Sequence, residues 1–217
     1  KGVCAVDLAG AEALYPTQEY QPLFAYAQSL GVPFTLHAGE AAGPESVWQA
    51  LELGAARIGH GVRAGENPRL VEELARRRVP LELCPTSNLQ TKAVPDLARF
   101  PLKEYLAQGV AATVNTDNMT VSRTTLAQEF ASLRLSPQER RAVLLHSVEA
   151  AFLPPAQKAA LRQAVEAALA EEPVSEEHAE LQDAVRLEFE AYQKTDKTLF
   201  DSANWFALQT WNGGDKI

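Results

Sequence analysis

Pro33-Phe-Thr-Leu-His37, the stretch Pro44 to Leu53 and Arg57-Ile-Gly-His60 follow one another directly in the chain. The first and third are short runs rich in apolar and β-branched residues, bounded by small or polar residues. The middle one carries its apolar residues at helical spacing. Strand, helix, strand in that order predicts a crossover connection and two parallel strands. The same alternation extends outward in both directions. Val3-Cys-Ala-Val-Asp-Leu8 precedes it, followed by the helical period of Tyr20 to Leu30. Pro80-Leu-Glu-Leu-Cys84 and Val110-Ala-Ala-Thr-Val-Asn115 come after it, preceded by the helical stretches Pro68 to Arg78 and Leu97 to Gln108. Five parallel strands alternating with helices are therefore expected. Beyond the fifth strand the pattern turns all-helical, over Thr124 to Leu133, Ser136 to Ala151 and Pro154 to Glu172. Ser136-Pro-Gln-Glu139 reads as a capping box for the second of these.

The 217 residues carry a formal charge of −8, a balance that repels phosphate backbones and argues against nucleic acid or an acidic membrane surface as the main partner. The apolar runs are too short for a transmembrane helix, and the start lacks the apolar core of a signal peptide. The two cysteines, Cys4 and Cys84, form no CxxC pair, so a thiolate zinc site or disulfide framework is not expected. A reducing, cytoplasmic setting and a small-molecule partner suit these properties. Residues 173–217 differ in composition from the rest. They hold nine acidic against four basic residues and six of the sixteen aromatics, and read as a separate appendage. Within it Leu181 to Gln193 has the pattern of an amphipathic helix. The 198–217 segment, with Phe200, Trp205, Phe206 and Trp211, reads as a partner-binding or cavity-covering stretch.

In parallel α/β folds the residues just past the carboxyl ends of the strands converge on one face, where active sites lie. Those positions here are Asp7-Leu-Ala-Gly10, His37-Ala-Gly-Glu40, Gly59-His-Gly61, Cys84-Pro-Thr-Ser-Asn88 and Asn115-Thr-Asp-Asn118. Two histidines and three carboxylates would share one rim. Imidazole and carboxylate are ligands a catalytic zinc accepts while leaving a position open for water. Asp117 ends a strand of small and β-branched residues, where packing requires no charge. Its alternative use is an Asx turn capping the next helix. Cys84 reads as a small buried hydrophobe. Ser87 and Asn88 read equally well as turn formers or as positioning groups. His146 and His178 lie in helical segments and read as structural.

These five segments, Val6-Asp-Leu-Ala-Gly10, Thr35-Leu-His-Ala-Gly-Glu40, Arg57-Ile-Gly-His-Gly61, Leu81-Glu-Leu-Cys-Pro-Thr-Ser-Asn88 and Val114-Asn-Thr-Asp-Asn118, closely resemble the adenosine deaminase family of metal-dependent hydrolases. The resemblance covers about residues 1–172, including Ser147-Val-Glu-Ala-Ala-Phe152. It implies an α/β, parallel-sheet (β/α)8 TIM-type barrel binding one zinc ion (Zn2+). The reaction it implies is hydrolysis of the 6-amino group of a purine nucleoside, adenosine giving inosine and ammonia. By the same resemblance His37 and Asp117 are metal ligands and Glu40 is the proton donor. His60 orients the hydroxide, while Gly10 and Asn118 contact the purine. The chemistry is coherent on its own terms, because the aromatic purine resists attack at C6 until N1 is protonated. A donor imidazole can then stabilise the developing tetrahedral centre.

Two departures from the family pattern stand out. Asn118 occupies a position where an aspartate is usual, and its amide can donate to the ring acceptor N7 in any protonation state. The His-x-His that ends the first barrel strand of the family, and supplies two more metal ligands, has no counterpart here. The expectation is that these residues form the carboxyl-terminal part of a longer enzyme. Two alternatives stand beside it: an adenine or modified-purine deaminase on the same scaffold, and an inactive barrel fragment serving as a binding or regulatory subunit.

Overall fold

The structure, a computed structural model, describes residues 3–171. The appendage expected over 173–217, including the helix at Leu181 to Gln193, the aromatic segment and His178, lies outside the described residues. Among the described residues five strands form one parallel sheet in sequence order: β1 (Val6–Leu8), β2 (Phe34–Ala38), β3 (Arg57–His60), β4 (Leu81–Leu83) and β5 (Ala112–Val114). Its helices are α1 (Gln21–Ser29), α2 (Pro44–Glu52), α3 (Pro68–Arg77), α4 (Pro85–Gln90), α5 (Leu102–Ala107), α6 (Met119–Ser122), α7 (Leu126–Ser132), α8 (Pro137–Ala150) and α9 (Pro155–Glu171). This is the strand–helix arrangement of a (β/α)8-type barrel, of which the described residues supply five strands.

The register explains how one sheet serves two purposes. Phe34, Leu36, Ile58, Leu81, Leu83, Ala112 and Val114 occupy one face and are buried in the main apolar cluster. The period-two alternation of strands puts Asp7, Thr35, His37, Arg57, Gly59, Glu82 and Thr113 on the other. The helices cover the apolar face. α2 starts at Pro44, whose missing N–H is harmless at the first helical position, and buries Val47, Ala50 and Leu51. α3 is capped by Asn67, whose side-chain oxygen accepts from the backbone N–H of Arg69 and Leu70 at 3.1 and 3.3 Å, and buries Leu70, Val71 and Leu74. Each leucine so enclosed contributes about 1.5–3 kcal/mol. The polar face is held partly by charge: the Arg57 guanidinium lies 2.8 Å from Glu82 and 3.9 Å above the Phe152 ring.

Several boundaries differ from the sequence expectation. β1 begins at Val6 rather than Val3, pairing from there with Phe34. The helix expected over Leu97 to Gln108 is broken into a 3-10 turn at Leu97–Arg99 and α5. Phe100 is extended at φ −68°, ψ 123°, as a residue before proline prefers, and Pro101 cannot continue a helix from it. Cys84-Pro-Thr-Ser-Asn88 is the start of helix α4 rather than a turn, with Pro85 at its first position. The capping box at Ser136 and Glu139 is present as expected, the two side chains and backbone N–H groups bonding reciprocally.

A buried phenol helps to fasten the loop after β3. Buried Tyr105, on α5, accepts from the Gly65 N–H at 2.8 Å, and its hydroxyl lies 2.9 Å from the Val62 carbonyl, to which it donates. Tyr105→Phe is expected to leave that N–H without its acceptor. It should reduce unfolding free energy by about 1–3 kcal/mol, measured by urea titration. An unchanged midpoint would show that the phenol does not fasten this loop.

Candidate functional site

The carboxyl ends of the strands bring most of the expected residues together. His37 is the penultimate residue of β2, and its Cα partner across the sheet is Gly59 of β3. A Cβ at Gly59 would lie 2.5 Å from Cδ2 of His37, so only glycine leaves room for the imidazole there. Nε2 of His37 is 3.4 Å from Asp7 on β1. Burial alone would lower the His37 pKa. The hydrogen bond and charge of Asp7, together with the charges of Asp117 and Glu40, more than offset it and push the group up to about 9.

Strict alternation would send His60 onto the helix-covered face with Ile58. Instead its backbone is left-handed, at φ 61°, and its buried ring stands edge-on to His37 with centroids 4.8 Å apart. Burial lowers the His60 pKa, although nearby Glu40 opposes the shift. Asp117 is also left-handed, at φ 53°, and its carboxylate accepts from the Ser87 hydroxyl at 2.7 Å. A non-glycine residue held there costs about 1–2 kcal/mol, and such outliers concentrate at functional sites.

Glu40 sits on the loop leaving β2. Its Oε1 accepts from Asn88 Nδ2 at 3.0 Å and from the Thr91 hydroxyl at 2.9 Å, and its Oε2 is 3.4 Å from Nε2 of His60. The loop itself is clamped by Glu12, whose carboxylate accepts four successive backbone N–H groups, those of Gly39, Glu40, Ala41 and Ala42, at 2.6–3.1 Å. Glu12 in turn donates its own backbone N–H to the Gly10 carbonyl at 3.0 Å, tying the loop after β1 to the loop that carries Glu40.

His37, Glu40 and His60 are thus in one cluster, and Asp117 is near enough for its charge to act on both histidines. Asn118 is the N-cap of α6. Its Oδ1 accepts from the N–H groups of Thr120 and Val121 at 3.1 and 3.0 Å, so only its amide NH2 remains to serve as a donor to another group. The capping weighed for Asp117 is therefore carried by its neighbour. Cys84 is buried, its thiol pushed up by that burial, and donates to the Glu82 carbonyl. His146 bonds the Ala112 carbonyl from α8. Ser87 and Asn88, open in sequence to either use, are positioning groups here, joined by Thr91 and Glu12, which no sequence expectation includes. The signal was the proline after Cys84, a first-turn residue that converts the segment into a helix presenting Ser87, Asn88 and Thr91 along one side.

Among the described residues no three histidine, cysteine, aspartate or glutamate side chains form a ready cation cage. His37 and Asp117 offer one imidazole and one carboxylate. In donor chemistry they fit zinc as two of the three protein ligands that a catalytic site normally uses.

The strand ends of this parallel sheet gather imidazoles and carboxylates on the face where barrel enzymes place their active sites. A family model described as Adenosine deaminase matches residues 1–168, and the chain belongs to that family. Adenosine deaminase from Haemophilus ducreyi is 56% identical over 164 residues, which are 74% of this chain and 48% of that protein. The chain spans about half the length of the curated relatives it matches. Among solved structures, adenine deaminase from Arthrobacter aurescens is 31% identical with a TM-score of 0.74, covering 77% of this chain and 53% of that one. N6-methyl-AMP deaminase from Arabidopsis thaliana is 29% identical with a TM-score of 0.69, covering 79% and 51%. Among the described residues no helix is long and apolar enough to cross a membrane.

Proposed function

We propose that this chain carries the proton-donor half of a zinc-dependent site that hydrolyses adenosine to inosine and ammonia. One observation carries the reading: Glu40 and His60 face each other beside His37, at the strand ends, with Asp117 anchored by Ser87 on the same rim. The open edges of the sheet would be closed by further strands of the barrel, which would complete the donor set.

His37 and Asp117 would hold the ion. When bound, zinc lowers the pKa of a coordinated water toward about 7 and supplies a nucleophile at neutral pH. Glu40 places its carboxyl beside the purine and delivers a proton to N1, making C6 electron-poor. His60 directs an N–H at the oxygen that attacks C6. The Asn118 amide is available to donate to N7. Gly10, with no side chain, would let the loop backbone approach the base, and the Glu12 clamp keeps that loop in register with Glu40.

The test is to incubate the intact protein with adenosine and follow the ultraviolet change to inosine. Loss of the change on chelation and its return with zinc are expected. No turnover of any 6-aminopurine by metal-loaded protein would reject the reading and favour a binding or regulatory subunit. A second reading, deamination of adenine or a modified purine, is supported by the likeness to the adenine deaminase structure. Parallel assays with adenine and N6-methyl-AMP separate the two.

A pH dependence also follows. With its pKa raised to about 9, His37 carries a proton at neutral pH, whereas metal binding needs the neutral imidazole. Zinc uptake near pH 7.5 is therefore expected to release a proton. Apparent affinity should rise up to tenfold per pH unit until about pH 9. Calorimetry in buffers of different ionisation enthalpy reads this directly, and an affinity flat between pH 7 and 9 would exclude His37 as the proton-releasing ligand.

A further inference from the structure

Asn88 is fully buried in the first turns of α4, with its side-chain amide between three partners. Its Oδ1 lies 3.2 Å from the backbone nitrogen of Cys84, and its Nδ2 lies 2.9 Å from Nδ1 of His60 and 3.0 Å from Oε1 of Glu40. The Cys84 N–H can only donate, so the amide oxygen must face it. The two amide hydrogens are thereby directed at His60 and Glu40. Flipping the amide would set NH2 against the Cys84 N–H and oxygen against the Glu40 carboxylate, breaking both of the contacts whose polarity is fixed.

We infer that Asn88 is a positioning residue that fixes where the protons of both reacting side chains sit. Nδ1 of His60 accepts from the amide, so the ring proton is on Nε2 and His60 acts as a donor toward the reaction centre. Oε1 of Glu40 is taken by Asn88 and Thr91, which leaves Oε2 as the oxygen that carries the proton passed to the base. One buried amide thus sets a tautomer and selects a carboxyl oxygen. The roles given to His60 and Glu40 rest on the deaminase reading, whereas the hydrogen-bond polarity does not.

The experiment is a long-range 1H–15N correlation spectrum of the intact protein labelled with 15N-histidine, the His60 signals assigned with a His60→Gln sample. A bare Nδ1 and a protonated Nε2 are expected, and a proton on Nδ1 in the unaltered protein would overturn the inference. Asn88→Asp keeps the shape and the acceptor for Cys84 while turning a second acceptor toward His60 and Glu40. In it the proton should appear on Nδ1, and kcat on adenosine should fall about 100-fold with KM changed less than threefold, the scale of outer-shell losses. Wild-type kcat with unchanged His60 signals in that variant would also overturn it. If the unaltered protein deaminates no purine, the proposed function fails, and the wild-type spectrum alone still decides the role of Asn88.

Discussion

Glu40→Gln is expected to reduce kcat on adenosine by about 10³-fold while the protein stays folded and retains zinc. General acid–base groups contribute about 10²–10⁴-fold, and this substitution removes a transferable proton with almost no change of shape. The glutamine carbonyl oxygen can keep the bonds from Asn88 and Thr91 that Oε1 now accepts. The new amide nitrogen would take the place of Oε2 beside His60, where it offers hydrogens that are not acidic enough to pass to N1. Stability should change by less than about 1 kcal/mol, as for a partly exposed polar side chain away from the core. The measurement is steady-state deamination alongside metal content and a thermal melt. Turnover within tenfold of the parent protein would remove Glu40 as proton donor.

Asp117→Asn should have an effect of similar size by another route. Asparagine tolerates the left-handed backbone at this position and can still accept from the Ser87 hydroxyl, so the local structure has little reason to move. What disappears is the negative charge of the proposed metal ligand. Removing an outer-shell partner typically costs 10–100-fold in metal affinity, and losing the ligand itself should exceed that, leaving protein dialysed against sub-micromolar zinc essentially metal-free and inactive. Metal analysis after dialysis, paired with circular dichroism, reads the result. One equivalent of tightly held zinc in the variant would exclude Asp117 from the ligand set.

The contrast between these residues and Asn88 shows what could be read from sequence. The five strand runs, the helices α2 and α3 and the capping box at Ser136 were legible because each depends on local pattern: period two, period 3.6, or a side chain three residues from its partner. His37, Glu40, His60 and Asp117 were legible because they sit at strand ends, and topology alone sends strand ends to one face. Asn88 and Glu12 depend on contacts spanning 28 to 48 and 27 to 30 positions, which no local pattern encodes. The break at Phe100 was missed although Pro101 announced it. The apolar residues keep helical spacing straight across the break, whereas the backbone obeys the proline.

The left-handed backbones at His60 and Asp117 set heat resistance and chemistry against each other at two points of the chain. Glycine would relax both conformations, and it carries neither an imidazole nor a carboxylate. A chain built for ruggedness alone would place glycine at both positions, so the histidine and the aspartate stand here at a cost in stability that only their side chains can repay.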